Sequence, residues 1–280
     1  MTAIPTEAAL RQLPKQADPT APLLVVENLK THFALGDATV HAVDGVSFRL
    51  DQGEALGIAG ESGCGKTTTA LSLVRILPPN ASIVEGSIKL YGIDLVQKSD
   101  EALRRYRWRE IAIVFQGAMN ALNPVHRVRD QIAEPLMERL GVGEKDARRR
   151  AGELLELVGI PKKRGAAYPH ELSGGMRQRA MIAMALALRP AIVIGDEPTT
   201  ALDVMVQAQI LDLLEHLRRE LGLSLILITH DLSVIAETCD RVLVMYAGRV
   251  AEEGSVAEVF RRPRHPYTQK LLAAVPGRGG

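Results

Sequence analysis

Residues 60–67, GESGCGKT, match the pattern G-x-x-x-x-G-K-[ST] and are called the glycine loop below. They follow a short apolar run at 54–60 and precede segment 67–77, which is typical of a helix ended by two prolines. Glycines let backbone N–H groups turn inward around phosphate oxygens, and the helix N-terminus adds the positive end of its dipole. Lys66 offers a point charge to β- and γ-phosphates, and Thr67 offers a hydroxyl to Mg²⁺. The loop predicts nucleotide binding, which kinases, GTPases and motors share.

Two further chemical groups stand where buried strands end. Asp196 and Glu197 close the apolar run AIVIGDE, and His230 closes LSLILITH. Ligands of open α/β sheets bind at the carboxyl ends of the strands, so these side chains are candidates for the same site. In isolation the two acids are compatible with a solvated turn, and a lone histidine with a structural role. The glycine loop upstream favours a functional interpretation of both.

The elements that position these groups alternate between strand and helix. Strands are predicted at 23–28, 39–50, 86–95, 191–197 and 223–230, with a hairpin at 241–254. The segment 205–221 has one apolar stripe at helical spacing, and 101–185, with its amphipathic stretch 146–158, predicts a helical insert. This alternation predicts an α/β fold with a mainly parallel sheet.

Composition restricts the class of protein further. The chain has 280 residues, 46% of them hydrophobic, and a formal net charge of +1, so it is no strong attractor for nucleic acid or anionic lipid. Two cysteines, Cys64 and Cys239, are too few for a disulfide framework. The longest apolar run, 180–188, is far shorter than the ~20 residues of a spanning helix. We therefore expect a soluble chain that reaches a membrane only through a partner.

Three further elements follow the glycine loop in a fixed order: LSGGMRQ at 172–178, AIVIGDE at 191–197 and the strand that ends at His230. The run LSGGMRQ at 172–178 opens a helix with Ser173 in a capping position, Val114-Phe115-Gln116 ends a strand, and 201–203 read Ala-Leu-Asp. With the carboxylates and His230, these motifs resemble the ABC ATPase family over about residues 22–276. The run 172–178 resembles the signature of this family, Val114-Phe115-Gln116 its Q-loop and 201–203 its D-loop. The glycine loop resembles the Walker A loop, AIVIGDE the Walker B strand, and His230 the switch histidine. The resemblance implies a P-loop NTPase cassette with a mainly parallel core sheet, a small antiparallel β-subdomain and a helical insert.

The resemblance also implies roles for individual residues, with ATP and Mg²⁺ as cofactors. Catalytic roles fall to Glu197, which would orient and polarise the attacking water, and to His230, Gln116 and Lys66. Mg²⁺ would be held by Thr67, by Asp196 through water, and by Gln116, which would touch either the metal or the water. Nucleotide contacts are implied for Phe33, Gly60, Glu61, Ser62, Gly63, Cys64, Gly65, Lys66, Thr67, Thr68, Ser173, Gly174, Gly175 and Asp203. Phe33 would stack on adenine, although an aromatic residue in an early strand is more often part of the core.

In this family the signature completes the site of a facing ATPase, so two ATP molecules lie between two subunits. This chain carries one set of motifs and therefore needs a second cassette. We expect a flexible tail at 1–21, the ATPase domain at 22–260 with a helical subdomain at about 101–185, and a C-terminal extension at 261–280.

Residues 116–124 and 262–272 further resemble the ATPases of oligopeptide, dipeptide and nickel importers. The resemblance implies a paralogous second ATPase, two transmembrane permease subunits and an extracytoplasmic solute-binding protein. Within this complex, the chain itself would lie at the cytoplasmic face of the cell membrane as a peripheral subunit. Short peptides are the expected solute, with nickel chelates, glutathione and opines as alternatives. Some members carry a cysteine cluster beyond this tail, and we expect no iron–sulfur cluster here.

Two other classes of protein share part of this motif set. A soluble ABC ATPase acting on ribosomes or DNA usually carries two cassettes or long coiled-coil inserts, and a P-loop kinase has no use for the signature or His230. The run 104–109, with arginines between aromatics, superficially suits nucleic acid. We interpret this run, and Arg148 to Arg150, as solvated helical faces and expect no nucleic-acid partner.

Overall fold

The computed structural model describes residues 18, 20–115, 121–200 and 202–274. Within this part of the chain, two units are distinguished. The glycine-loop unit consists of residues 18, 20–107 and 221–274, and the helical unit of residues 108–115, 121–200 and 202–220. Most of the predicted N-terminal tail, Gln116 and Ala201 lie outside the described residues.

The glycine-loop unit contains an antiparallel sheet with the strand order β2-β1-β4-β5. Its strands are β1 (Leu24–Leu35), β2 (Ala38–Leu50), β4 (Ala81–Leu90) and β5 (Ile93–Asp94). A two-residue turn, Gly36-Asp37, joins β1 to β2, and Gly36 has a φ of 59° that costs glycine nothing. The predicted antiparallel β-subdomain is confirmed.

The same unit contains strands in the order β10-β9-β3-β8. Strand β3 (Ala55–Ala59) pairs in parallel with both β8 (Ser224–Ile228) and β9 (Arg241–Tyr246). Every residue of β3 and β8 is buried, as expected for parallel strands covered on both faces. Strand β10 (Arg249–Ser255) returns antiparallel to β9, which confirms the predicted hairpin. The helices of this unit are α1 (Lys66–Val74), α2 (Asp100–Leu103), α7 (Leu232–Thr238), α8 (Val256–Arg261) and α9 (Pro266–Ala273).

The helical unit combines one pair of parallel strands, β6 (Ile111–Val114) and β7 (Ile192–Asp196), with helices. The helices are α3 (Val128–Leu140), α4 (Glu144–Leu157), α5 (Gly174–Ala185) and α6 (Val204–Leu221), with short 3₁₀ turns at Lys162–Ala166 and Pro169–Glu171. In α4 one face is buried, and the arginines on the other face pair with acids, such as Arg148 with Glu144 at 2.8 Å. The predicted solvated face is confirmed for Arg148 and Arg149, which are exposed, whereas the side chain of Arg150 is only 18% exposed.

The sequence predicted a helix that ends at Leu77, but α1 ends three residues earlier, at Val74. Arg75 adopts a left-handed φ of 50°, and the Ile76 amide bonds back to the Leu71 carbonyl at 3.0 Å, which closes the helix. The guanidinium of Arg75 donates to the carbonyl of Leu95 at 3.0 Å and to that of Lys98. These bonds to a distant segment hold a non-glycine residue in a conformation normally left to glycine.

The interpretation of 104–109 as a solvated helical face was only partly correct, because Arg104, Arg105 and Arg109 are exposed but the segment is not helical. Helix α2 ends at Leu103, and the residues that follow form turns. The guanidinium of Arg107 donates to the carbonyls of Val74 and Arg75, and the Trp108 indole donates to the Met184 carbonyl at 2.8 Å. These side chains close the open carbonyl ends of neighbouring helices, so they serve packing within each unit.

Candidate functional site

The glycine loop lies between β3 and α1, as predicted, and its glycines have positive φ values of 148° at Gly60, 80° at Gly63 and 106° at Gly65. A Cβ atom at Gly60 would lie 2.3 Å from the Met245 carbonyl oxygen, and one at Gly65 would lie 2.3 Å from the Ala42 carbonyl oxygen. Backbone from β9 and β2 therefore presses against the loop. These contacts between distant segments carried no signal in the sequence.

Lys66 is the first residue of α1 and is only 6% exposed. Its Nζ atom donates to the carbonyl oxygens of Gly60 at 2.7 Å and Glu61 at 2.8 Å. The ammonium group therefore lies inside the curve of the glycine loop, at the positive end of a helix dipole. An anion entering this curve would meet a buried cation at the N-terminus of helix α1, which is the chemistry of a phosphate site.

The other loop residues differ in exposure. Glu61, Ser62, Gly63 and Thr67 are exposed, and Thr68 is half-buried. Cys64 is buried, and burial raises the pKa of its thiol despite the nearby Lys66 ammonium. A buried, protonated thiol is a weak nucleophile, so Cys64 serves packing and backbone contacts here.

His230 lies at the carboxyl end of β8 and is exposed. Strands β3 and β8 are parallel with Ile58 opposite Ile228, so the first residue of the glycine loop and His230 follow at the same edge of the sheet. Beyond His230, the side chain of Asp231 accepts from the Ser233 amide at 2.9 Å and caps α7. The turn carrying the histidine is thus fixed from both sides.

Phe33 lies in β1, between Val40 of β2 and Ala81 of β4, and is half-buried. Its side chain is therefore partly accessible to solvent, as a stacking residue requires. The stacking role stays a prediction.

In the helical unit, β7 delivers Asp196 and Glu197. Asp196 is 2% exposed, whereas Glu197 is half-buried and has a φ of 48°. A left-handed backbone at a glutamate is strained, and such strain is concentrated at functional sites. The Thr200 hydroxyl donates to Glu197 Oε2 at 2.9 Å, and the Thr200 amide donates to the Glu197 carbonyl at 3.2 Å. A tight turn therefore sets the direction of this carboxylate.

The signature residues begin α5. Ser173 caps the helix by accepting from the Met176 amide at 3.3 Å, which confirms the predicted capping position. A Cβ atom at Gly175 would lie 2.6 Å from Val206 Cγ1, so α5 and α6 approach closely here. Asp203 in turn accepts from the Val206 amide at 2.9 Å and caps α6. Val206 thus links the signature to the D-loop, a relationship that spacing in the sequence did not reveal.

The predicted site residues fall into the two units as follows. The glycine-loop unit carries Phe33, the residues Gly60 to Thr68, and His230, and the helical unit carries Ser173, Gly174, Gly175, Asp196, Glu197 and Asp203. Gln116 lies outside the described residues, so its part in the site stays a prediction.

One cluster of possible metal ligands was not predicted. His32 and His41 stack with ring centroids 4.0 Å apart, and their ligand atoms lie within 4.8 Å of one another and of a carboxylate oxygen of Asp44. Arg249 donates to Asp44 Oδ2 at 2.6 and 3.0 Å, and these bonds hold the pKa of Asp44 below its usual value. The guanidinium of Arg249 already pairs with the Asp44 carboxylate, and its positive charge would repel a metal cation. We therefore assign no metal role to this cluster.

Comparison with known proteins agrees with this arrangement. A family model described as ABC transporter matches residues 43–200. A probable peptide ABC transporter ATP-binding protein of Sinorhizobium fredii is 51% identical over 267 residues, which cover 94% of this chain and 80% of the relative. The dipeptide transport ATP-binding protein of Bacillus subtilis is 49% identical over 257 residues, which cover 91% of this chain and 77% of the relative.

Among solved structures, a dimeric ATP-binding cassette in a post-hydrolysis state with bound ADP and Pi is similar to this chain. Its TM-score is 0.74 at 29% identity, and the match covers 83% of this chain and 98% of the other. The chain belongs to the ABC transporter family and is an ATP-hydrolysing cassette of that family. Family membership implies permease partners in a membrane. In the described part of the chain, no helix combines the length and apolar character needed to cross a bilayer.

Proposed function

We propose that this chain is the ATPase subunit of an importer of short peptides. Lys66, buried inside a glycine loop at the start of α1, carries the nucleotide-binding half of this proposal. The solute half is supported by the relatives, which are named as peptide and dipeptide transport proteins at about half identity over most of the chain. Nickel chelates, glutathione and opines are the alternative solutes.

ATP binding would use the glycine loop as a cradle. Amides of the loop and of Thr67 and Thr68 would face the phosphates, and Lys66 would exchange its bonds to loop carbonyls for bonds to phosphate oxygens. Phe33, half-exposed in β1, would stack on adenine. The contacts of Gly60 and Gly65 with neighbouring backbone support a loop whose shape exists before ATP arrives.

The donor set offered by the chain fits Mg²⁺. A hydroxyl from Thr67, a carboxylate from Asp196 through water, and the side-chain oxygen of Gln116 are the hard oxygen ligands that this ion prefers. When bound, Mg²⁺ would neutralise charge on the phosphates. Asp196 is 2% exposed at the end of a buried strand, a position that favours a fixed carboxylate.

Hydrolysis would depend on Glu197 and His230. Glu197 would orient and polarise the attacking water, and the bond from Thr200 supports a single direction for its carboxylate. His230, at the carboxyl end of β8, would contact the γ-phosphate. Gln116 would touch the metal or the water.

A second cassette would complete the site. Ser173, Gly174 and Gly175 at the N-terminus of α5, with Asp203 nearby, would face the nucleotide of a paralogous ATPase. ATP would favour the closed pair and hydrolysis the open one, a population shift able to work on a partner. Two permease subunits and an extracytoplasmic solute-binding protein would complete the importer. The chain would lie at the cytoplasmic face of the cell membrane. Its domains would have the limits given above: a tail at 1–21, the ATPase domain at 22–260 and an extension at 261–280.

The test is reconstitution of this chain with its permease and ATPase partners in vesicles. Binding protein loaded with short peptides should stimulate ATP hydrolysis and peptide uptake, and the complex with Lys66→Ala should do neither. Stimulation by a nickel chelate, glutathione or an opine in place of peptide would select that alternative. A chain that hydrolyses ATP but never assembles with permease subunits would contradict the transport role.

A further inference from the structure

Helix α9 is tied to β10 through the two residues that precede it. Pro266 is the first helical residue, and the His265 side chain caps the helix by accepting from the Tyr267 amide at 3.1 Å. The amides of Arg264 and His265 both donate to the Glu252 carboxylate, at 2.8 and 3.0 Å. Burial alone would raise the pKa of Glu252, but these two bonds contribute to a net lowering of the pKa. The start of α9 is thus held by three hydrogen bonds.

Tyr267, the second residue of α9, reaches the glycine loop. Its hydroxyl accepts a hydrogen bond from the backbone amide of Glu61 at 3.0 Å. Its ring packs against that of Tyr246, with centroids 4.5 Å apart and planes inclined by 42°. Burial raises the pKa of Tyr267, so the hydroxyl stays protonated at neutral pH. The contact joins two residues that are 206 positions apart in the chain.

The Glu61 residue is therefore held on both sides. Its amide donates to Tyr267, and its carbonyl accepts from Lys66 Nζ at 2.8 Å. When Lys66 turns to a phosphate, the bond to its own loop carbonyl is given up. The Tyr267 hydroxyl then remains as a side-chain anchor of this part of the glycine loop, next to Gly60, whose position is already limited by the Met245 carbonyl.

We propose that Tyr267 is a positioning residue for nucleotide binding, through which α9 holds the glycine loop in the shape that accepts phosphate. This inference rests on the proposed role of the loop in binding ATP. The net contribution of one hydrogen bond changes an equilibrium constant by roughly threefold to tenfold. Loss of the hydroxyl should therefore weaken ATP binding by about that factor and leave the chemical step almost unchanged.

The test compares Tyr267→Phe with Tyr246→Phe in the full chain. Both variants keep the ring pair, but only the first removes the bond to Glu61. Binding of ATP and the KM and kcat of hydrolysis are measured, together with hydrogen exchange of the Glu61 amide. We expect KM and Kd for ATP to rise in Tyr267→Phe alone, kcat to change less than about twofold, and the Glu61 amide to exchange faster.

A purely structural anchor would instead lower the melting temperature or the folded fraction, without raising KM. ATP affinity of Tyr267→Phe equal to that of the parent chain would overturn the inference. So would a Glu61 amide in the parent chain that loses its protection when ATP binds, a measurement that needs no variant. If the parent chain and Lys66→Ala bind ATP equally weakly, the proposed function fails as well, so the two failures are distinguishable.

Discussion

The Thr200 hydroxyl donates a hydrogen bond of 2.9 Å to the carboxylate of Glu197, while the Thr200 amide bonds to the carbonyl of the same residue at 3.2 Å. The turn after β7 is therefore closed by both the backbone and the side chain of one threonine. Because the backbone of Glu197 is left-handed, with a φ of 48°, this closure compensates for a conformation that glutamate rarely adopts. The result is a carboxylate with a fixed direction.

The substitution Thr200→Val should slow ATP hydrolysis by about tenfold, because a hydrogen bond to a charged group is worth roughly that factor. Valine keeps the shape of threonine and removes only the hydroxyl. ATP affinity should be unchanged, since Thr200 would not contact the nucleotide. Phosphate release measured beside ATP binding checks this, with Thr200→Ser, which keeps a hydroxyl, as the matched control. Valine and serine variants of equal activity would remove Thr200 from the orienting role.

The substitution Glu197→Gln should reduce kcat by about 10²–10⁴-fold and leave ATP bound, because an amide does not polarise the attacking water. Glutamine keeps the length of the side chain and an oxygen that accepts from Thr200. The control is Glu134→Gln on α3, an exposed glutamate that should leave kcat unaffected. Turnover of Glu197→Gln at the parent rate would show that another group activates the water.

Features that depend on residues close together in the chain were predictable from the sequence. Glycines, an apolar strand and a helix stand next to one another in the glycine loop, and the two acids directly follow a buried strand. In both cases the functional groups and the elements that position them lie within about ten residues of each other in the chain. The capping role of Ser173 was predictable for the same reason.

Features that depend on distant backbone were not predictable. The end of α1 at Val74 depends on Arg75 reaching the carbonyls of Leu95 and Lys98. The contacts of Gly175 with Val206 and of Tyr267 with Glu61 join segments whose approach no local pattern records. The resemblance to peptide importers drew attention to the tail around Tyr267, but the contact of Tyr267 with Glu61 is visible only in the folded structure.

Gly60 and Gly63 should respond differently to alanine. Both have positive φ, so alanine is strained at either position, and at Gly63, with a φ of 80°, the cost should be about 1–2 kcal/mol. At Gly60 the new Cβ would also lie 2.3 Å from the Met245 carbonyl oxygen, whereas nothing lies within 4 Å at Gly63. We expect Gly60→Ala to lose ATP binding and further stability, and Gly63→Ala to keep measurable binding. Urea unfolding and ATP titration check both, and equal effects would argue against the backbone contact.

The substitution Gly175→Ala should destabilise the chain by about 1–3 kcal/mol through overpacking against Val206. The added methyl would lie 2.6 Å from Val206 Cγ1, and a β-branched side chain has few other rotamers to adopt. Adding Val206→Ala should restore part of the loss, with Val206→Ala alone as the control. Urea unfolding of the three variants measures the coupling free energy. Strict additivity would indicate that the helices separate and do not clash.

Glu110 should make the stability of the chain depend on pH. Its carboxyl is buried just before β6, and burial raises its pKa from 4.5 to about 7, despite the nearby positive charge of Arg109. Between these values the folded chain holds a proton that the unfolded chain has released. The free energy of unfolding therefore falls as pH rises from about 4.5 to about 7 and is level above that range. The total change is at most about 3 kcal/mol.

The substitution Glu110→Gln removes the titrating group and keeps the size of the side chain. At pH 8 this variant should be more stable than the parent chain, and at pH 4 the difference should disappear, because Glu110 is then protonated in both states. Urea unfolding across this pH range measures the difference directly, and other titrating groups cancel. Glu138→Gln, at an exposed position on α3, is the matched control and should follow the parent curve. Parallel curves for Glu110→Gln and the parent would mean that Glu110 is ionised in the folded chain at neutral pH, so the burial of this carboxyl would not govern its protonation.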